Sequence, residues 1–246
     1  MAYRDTPTYT FSVPGFTRAV KVLIIATTAV FVLQYVDSSL NIRLTQMFAL
    51  VPGLVARGEI WRLASYLFLH ESLSHLFWNM FALWMFGVWV EEGIGSTRLY
   101  QLYFVAGVGG GVVDVAAHLL LQPGSLSYTI GASGAIYGVL LAVGMLFPDR
   151  PVFLLLPPVT IKAKWLVLGY GALEFLFTLH DGGADGVAHF AHLGGMFFAF
   201  LYLKSSGHGP RMGDTLSRWR RRRMQKKFDV YMNTRDRHPP PGGWRH

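Results

Sequence analysis

The stretch YTIGASGAIYGVLLAVGMLF, residues 128–147, is the part of the chain on which the prediction of its fold depends. It is apolar enough to lie in a membrane, yet its first third consists of glycine and small residues around one serine, Ser133. From Ser133 onward it has about 15 residues, or about 22 Å of helix, whereas the hydrocarbon core of a bilayer is about 30 Å thick. The sequence therefore predicts a short helix that begins inside a membrane with a hydroxyl at its start.

The composition of the whole chain is that of an integral membrane protein. Of its 246 residues 52% are hydrophobic and only 15% are charged, whereas about a quarter of a soluble domain is charged. The chain has no cysteine, which excludes disulfides, thiolate nucleophiles and cysteine metal sites. The first 17 residues lack the basic-then-apolar order of a signal peptide, so we expect the first apolar segment to be retained as an anchor.

Six segments of the chain are apolar and long enough, or nearly long enough, to span a membrane. A spanning helix needs about 20 mostly apolar residues, and the six segments are 19–37, 75–92, 99–121, 133–147, 163–180 and 187–204. We therefore predict an all-α membrane protein, a bundle of six transmembrane helices whose fourth helix is short and starts inside the membrane. Short turns are predicted at 93–98, 122–127 and 181–186.

Three longer segments lie outside the six predicted spans. Residues 1–17 are predicted to be a cytoplasmic N-terminal segment that precedes the transmembrane domain, 18–204. Within that domain, residues 38–74 contain several short apolar runs, which predict a structured, partly inserted loop. Residues 205–246 are polar and basic, and we expect a disordered cytoplasmic tail.

The positive charges predict the orientation in the membrane. If the N-terminus is cytoplasmic, all but Arg43, Arg57 and Arg62 of the 22 lysines and arginines fall on the cytoplasmic side. Because cytoplasmic loops carry an excess of lysine and arginine, both termini are predicted to be cytoplasmic. The basic block RWRRRRMQKKF (218–228) follows a membrane helix, so we expect it to bind anionic lipid headgroups and not nucleic acid.

Polar side chains at membrane depth are costly and are functional candidates by default. In HLFWN, residues 75–79, His75 and Asn79 are four apart and share one face of a helix. Both side chains can donate hydrogen bonds. The pattern is compatible with two donors directed into a cavity, and equally with hydrogen bonds between neighbouring helices.

The second candidate is GASGAIYG, residues 131–138, in which Gly131 and Gly134 lie on either side of Ser133. If a helix begins near Ser133, the backbone amides of its first turn have no intrahelical partner and lie at the positive end of the helix dipole. Such amides would stabilise an oxyanion beside the serine hydroxyl. The alternative is a contact between helices through small residues. Tyr137 lies one turn beyond the serine.

The third candidate is AHFAHLGG, residues 188–195, which contains His189 and His192. The glycines that follow, Gly194 and Gly195, would let this helix pack closely against another. His192 can serve as a general base or make a structural hydrogen bond. His189 lies nearer the start of the helix, and we expect it at the surface or in a supporting position.

Two kinds of catalytic site that the sequence could suggest are disfavoured. HESLSH, from His70 to His75, resembles the zinc motif HExxH, but its histidines are five apart, so on one helix their rings would face different sides. A paired-aspartate protease needs two carboxyl groups that share a proton, and Asp114 is the only acidic residue that we place well inside a predicted span. Glu91, at the end of the second span, is interpreted as a structural charge.

Together these motifs resemble the rhomboid family of intramembrane serine proteases. HLFWN starts the second helix, GASGAIYG starts the fourth, and AHLGG lies in the sixth. WRLASYLFLHESLSHL, which begins at Trp61 and Arg62, is similar to the end of the family's first loop. The resemblance covers about residues 18–204 and rests on three motifs in a fixed order.

The resemblance implies a Ser–His catalytic dyad rather than a triad. Ser133 matches the nucleophile and His192 the general base, while His75, Asn79 and the backbone N–H of Ser133 match the oxyanion hole. Tyr137 matches the tyrosine that stacks on the catalytic histidine.

The same resemblance assigns supporting roles elsewhere in the chain. Glu91 matches a structural glutamate, and Gly131, Gly134 and Gly195 match the family's small residues around the site. Ala199 departs from the family, which often has a second glycine there, so we expect slightly looser packing of the fourth and sixth helices.

The function implied by the resemblance is that of a serine endopeptidase without cofactor or metal, which hydrolyses peptide bonds in or near transmembrane helices of single-pass substrates. The short extensions favour a bacterial inner membrane. Two other functions remain open: a membrane transporter, and a non-catalytic protein of the rhomboid fold that binds membrane clients. A transporter would more often show paired repeats or broken helices in both halves, and the sequence shows no such symmetry.

Overall fold

The computed structural model describes residues 15–123, 127–154, 158–180 and 187–207. These residues all belong to the unit Met1–His208, and residues 209–246 are not among the described residues. The predictions for most of the N-terminal segment, for the basic tail, for the turn at 181–186 and for the middle of the turn at 122–127 therefore fall outside the described residues.

The described part of the chain is mostly helical, and one helix lies at each of the six apolar segments. The helices are α1 (Arg18–Val36), α2 (Ser38–Phe48), α3 (Pro52–Val55), α4 (Arg62–Ser65), α5 (Leu73–Ile94), α6 (Ser96–Leu121), α7 (Ser133–Leu146), α8 (Ala163–His180) and α9 (Val187–Ser205). Among the described helices, α1, α5 and α6 are long and apolar enough to cross a membrane. Helix α7 is apolar and shorter.

The outer surface of the helices is apolar, as expected for a protein surrounded by lipid. On α1 the side chains of Ile25 and Leu33 are more than half exposed, and on α8 the same is true of Leu168 and Leu176. Large contiguous apolar surfaces are rare on soluble monomers. Together with the apolar helices, this surface identifies the chain as an integral membrane protein.

Helix α7 lies at the centre of the bundle, in contact with α5, α6, α8 and α9. Small residues allow the closest approaches: a Cβ added to Gly195 would lie 2.0 Å from the carbonyl oxygen of Gly134. A Cβ added to Gly138 would lie 2.3 Å from the Cβ of Ala106 and 3.2 Å from that of Ala199. Ala199 is fully buried opposite this glycine, so its methyl group is accommodated between α7 and α9.

The segment between α1 and α5 is structured, as the sequence predicts, and its centre is a buried arginine. Arg62 is 3% exposed, and its guanidinium donates hydrogen bonds of 2.7 Å to the backbone carbonyls of Ala49 and Gln46. Its Nε donates to Glu59 over 2.7 Å. The planar fork of donors on arginine can bond several oxygens at once, and here it joins α2 to α4.

Glu91 supports the start of α1. Its carboxylate accepts hydrogen bonds from the backbone amides of Ala19 (2.8 Å) and Val20 (3.0 Å), and also from the hydroxyl of Thr17. The first amides of a helix have no intrahelical partner, and a carboxylate at this end also stabilises the helix dipole. The interpretation of Glu91 as a structural charge therefore has a direct physical basis.

Two features differ from the sequence predictions. The turn expected at 93–98 is reduced to Gly95, because α5 continues to Ile94 and α6 begins at Ser96. Gly95 has φ +87°, a conformation that residues with a side chain rarely adopt. The chain also forms an unpredicted antiparallel hairpin between α7 and α8, in which β1 (Pro151–Leu154) pairs with β2 (Val159–Lys162).

Candidate active site

Backbone hydrogen bonds attach the segment that precedes α7 to the loop between α1 and α5. Leu50 and Thr129 exchange two such bonds, of 3.0 and 2.9 Å. The amide of Gly131 donates to the carbonyl of Tyr66 over 3.0 Å. The loop thereby holds the start of α7 in position.

Gly131 makes room for the ring of His75. Its φ of +121° favours glycine, and an added Cβ would lie 2.8 Å from two atoms of that ring. His75 is thus brought beside the residue that lies two positions before Ser133.

The structure brings Ser133 and His192 together. Oγ of Ser133, the first residue of α7, lies 2.8 Å from Nε2 of His192 on α9. This is hydrogen-bond distance. When the serine donates this bond, Nε2 is the acceptor and Nδ1 carries the hydrogen of the neutral ring.

Tyr137 lies one turn beyond Ser133 on α7 and packs on the histidine ring. The centroids of the Tyr137 and His192 rings are 4.3 Å apart and the ring planes differ by 14°, so the rings are stacked. The hydroxyl of Tyr137 donates a hydrogen bond to Oε1 of Glu174 on α8. Stacking therefore restricts the orientation of the imidazole from one side.

The groups expected to bind an oxyanion have the following positions. The amide of Ile136 donates to the carbonyl of Ala132 as the first backbone bond of α7, so the amides before it, including that of Ser133, have no intrahelical partner. The side-chain amide of Asn79 donates to the carbonyl of His75 over 2.9 Å, which uses one of its two hydrogens. The oxyanion roles of His75 and Asn79 stay predictions.

His70 and His75 contact each other although they are five residues apart. Their ring centroids are 4.9 Å apart in an edge-to-face arrangement. The spacing argument applies only to two histidines on one helix, and His70 lies in the segment before α5, which begins at Leu73. His70 is 2% exposed, and within the described residues neither of its ring nitrogens has a hydrogen-bond partner.

Glu174 was missed by the sequence analysis, which placed only Asp114 well inside a predicted span. Glu174 lies on α8 and is 7% exposed. Its Oε2 is hydrogen-bonded to Nδ1 of His189 and lies 3.1 Å from Nδ1 of His192. An acidic residue inside the predicted span 163–180 was the signal that could have identified it. His189, expected at the surface or in a supporting position, pairs with this carboxylate.

Asp114 belongs to a separate buried polar cluster. Its Oδ2 accepts a hydrogen bond of 2.9 Å from the hydroxyl of Thr129. His118, one turn further along α6, is hydrogen-bonded through Nε2 to the hydroxyl of Ser127. These bonds connect α6 to the segment that leads into α7, so Asp114 helps to support the start of that helix.

Glu174, His189 and His192 are close enough to one another to share a metal ion, since their ligand atoms all lie within 4.8 Å. The contacts of both Nδ1 atoms with Oε2 of the single carboxylate account for the clustering of the two histidines. The interpretation of the cluster therefore rests on the contacts between this carboxylate and the two imidazole rings.

Comparison with known proteins establishes the family. The Rhomboid domain model matches residues 57–205, which include every motif discussed above. The chain belongs to the rhomboid family.

The chain is similar to several curated rhomboid proteins. It is 34% identical to Rhomboid protease GluP of Bacillus subtilis over 164 residues, and the aligned residues make up 65% of this chain and 30% of that protein. It is 37% identical over 159 residues to RHOMBOID-like protein 5 of Arabidopsis thaliana, 64% of this chain and 48% of that protein. It is 30% identical over 158 residues to the mitochondrial Rhomboid protein 1 of Saccharomyces cerevisiae, 64% of this chain and 43% of that protein. The chain thus spans less than half the length of these relatives.

Proposed function

We propose that this protein is an intramembrane serine protease that uses Ser133 as nucleophile and His192 as general base. The observation that carries the proposal is the 2.8 Å contact between Oγ of Ser133 and Nε2 of His192, on two different helices of an apolar bundle. A nucleophile within hydrogen-bond reach of a base, with the base oriented by a third group, is the arrangement expected for covalent catalysis. The similarity to a curated rhomboid protease adds support.

In the proposed mechanism, Nε2 of His192 accepts the hydroxyl proton as Oγ of Ser133 bonds to the carbonyl carbon of the substrate. The negative charge moves to the carbonyl oxygen, where the amide of Ser133 and the side chains of His75 and Asn79 would stabilise it. The intermediate then expels the amine, which takes the proton from His192. A water molecule attacks the resulting ester while His192 accepts a proton from it, and the serine leaves with that proton, so the products are a carboxylic acid and an amine.

We further propose six membrane spans, with α7 as the short fourth one. A helix of 14 residues is about 21 Å long and cannot cross a hydrocarbon core of about 30 Å, so Ser133 would lie below the outer surface. Non-helical backbone at membrane depth is tolerated only where protein covers it or where it lines a water-filled cavity. A cavity open to the outside would supply the water that hydrolysis needs.

The substrates would be single-pass membrane proteins. A fully hydrogen-bonded helix does not offer its carbonyls to a nucleophile, so the cleaved segment would have to unwind, which glycine or other weak helix formers favour. Both termini of the protease would be cytoplasmic, in a bacterial inner membrane, and the basic tail would contact anionic lipid headgroups.

The test is cleavage of a single-pass substrate in liposomes, with the new terminus mapped by mass spectrometry. Wild type and Ser39→Ala, a control at an exposed serine, should cleave. Ser133→Ala and His192→Ala should not, and a fluorophosphonate should label wild type at Ser133. Cleavage by Ser133→Ala at the wild-type rate would overturn the nucleophile assignment, and absence of both cleavage and labelling in wild type would favour a client-binding protein.

A further inference from the structure

A buried carboxylate from α8 reaches the back of the candidate catalytic histidine. Glu174 is 7% exposed and lies among side chains from α7 and α9. A charge inside a membrane protein is costly unless it is paired. Here one oxygen accepts the hydroxyl hydrogen of Tyr137, and the other faces His189 and His192. Both oxygens of the carboxylate thus contact residues of the candidate active site.

The imidazole of His192 has a polar partner at each nitrogen. Nε2 is 2.8 Å from Oγ of Ser133, and Nδ1 is 3.1 Å from Oε2 of Glu174. The Nδ1–Oε2 contact is within ion-pair distance, although its angle is not that of a well-formed hydrogen bond. Serine, imidazole and carboxylate therefore follow one another in the order of a serine protease triad.

This order has a chemical consequence for the tautomer of His192. Nε2 can accept the serine proton only if the ring hydrogen is on Nδ1. A carboxylate beside Nδ1 favours that tautomer, and it also stabilises the imidazolium that forms when the serine proton is transferred.

We propose that Glu174 is a positioning residue that acts through His192, so that the site functions as a Ser133–His192–Glu174 triad. The inference rests on the proposed protease function. Glu174 itself touches no reacting atom. Tyr137 and His189 hold its two oxygens in place, which gives these residues a role in the orientation of the base.

Glu174→Gln is the decisive variant because it keeps the size of the side chain. A glutamine whose amide oxygen faces Nδ1 of His192 lacks the negative charge that stabilises the imidazolium. If the amide oxygen instead accepts the hydrogen bond from the Tyr137 hydroxyl, the NH₂ group faces Nδ1 of His192. That donor favours the tautomer with the hydrogen on Nε2, which cannot accept the serine proton. We expect kcat to fall by about 10²–10⁴-fold with KM changed by less than about threefold, and Glu174→Asp to retain more activity than Glu174→Gln.

Glu91→Gln is the matched control, since Glu91 is buried to a similar degree, 6% exposed, and also accepts several hydrogen bonds. This control should lower the melting temperature and leave kcat within about threefold of wild type. If Glu174 had only a structural role, Glu174→Gln would likewise lower the melting temperature and leave kcat within about threefold of wild type. If Glu174→Gln is partly misfolded, the rate at which a fluorophosphonate labels Ser133 is compared between its monodisperse fraction and wild type.

The outcomes separate this inference from the proposed function. If wild type cleaves, Ser133→Ala does not, and Glu174→Gln keeps kcat within about threefold, the triad is overturned and the protease assignment stands. If Ser133→Ala cleaves like wild type, both the triad and the protease assignment are overturned. Activity that survives incubation with EDTA supports a triad that functions without a metal. A loss of activity that zinc restores would show that the Glu174, His189 and His192 cluster holds a metal, and it would overturn the triad.

Discussion

Oγ of Ser133 and Nε2 of His192 lie 2.8 Å apart, although 59 residues separate them in the chain. The contact depends on the approach of α7 and α9, which small residues permit. A Cβ added to Gly195 would lie 2.0 Å from the carbonyl oxygen of Gly134, and one added to Gly110 on α6 would lie 2.5 Å from that of Ala191. Three helices therefore meet with little side-chain volume between them just where the hydroxyl and the imidazole face each other.

We expect Gly195→Ala to lower both stability and activity. The added methyl group meets backbone, which cannot move aside as a flexible side chain can, and overpacking typically costs about 1–3 kcal/mol. The measurements are the midpoint of thermal unfolding in detergent and the cleavage rate. Gly169→Ala on α8 is the control, because its Cβ would meet nothing within 4 Å, so unchanged behaviour of both variants would refute the packing argument.

We expect Asn79→Ala to reduce kcat by about 10²–10³-fold without abolishing cleavage, because one oxyanion donor is lost and the others remain. Initial rates at saturating substrate measure the effect. The helix also loses the side-chain bond from Asn79 to the carbonyl of His75, so the melting temperature is recorded in parallel. A normal kcat in a normally folded variant would remove Asn79 from the oxyanion hole.

We expect Arg62→Lys to destabilise the loop between α1 and α5. A lysine cannot reproduce the three hydrogen bonds to Ala49, Gln46 and Glu59, and each buried carbonyl left without a donor costs about 1–3 kcal/mol. Limited proteolysis and hydrogen exchange of the loop measure the change. Arg57→Lys, at an exposed position in the same loop, should leave the protection of the loop unchanged. Equal protection in the two variants would contradict the structural role of Arg62.

We expect stability to fall as the pH is lowered from about 6.5 to about 4, in part through His70. This residue lies between the helices, before α5, and burial lowers its pKa from 6.5 to about 4. On this histidine the unfolded chain therefore binds a proton near pH 6.5, whereas the folded chain binds it only near pH 4. The contribution of the neutral histidine to the free energy of unfolding, about 3 kcal/mol at most, is fully present only above pH 6.5.

The measurement for His70 is the unfolding midpoint as a function of pH in wild type and in His70→Phe. The variant should have a flatter profile between pH 4 and 6.5. An identical slope in both proteins would show that other groups are responsible. Asp149 is not expected to interfere, because its hydrogen bond to Lys164 lowers its pKa to about 2, below this window.

The positions of the helices and the main candidate residues could be predicted from the order of residues alone. Runs of apolar side chains specify membrane helices because every backbone polar group must be satisfied within lipid. The small residues around Ser133 and the histidine before Gly194 and Gly195 are local patterns that mark a helix start and a close contact. These features are local, so they survive without knowledge of the fold.

What required the tertiary structure was the pairing of groups that are distant in the chain. The contact of His70 with His75 follows from the place where α5 begins, and the hairpin between α7 and α8 was not predicted from the sequence. Glu174 was overlooked because its significance comes from partners on two other helices, His192 among them. Hydrogen bonds and ion pairs act over about 3–4 Å, and only the packing of the helices decides which polar groups come within that range.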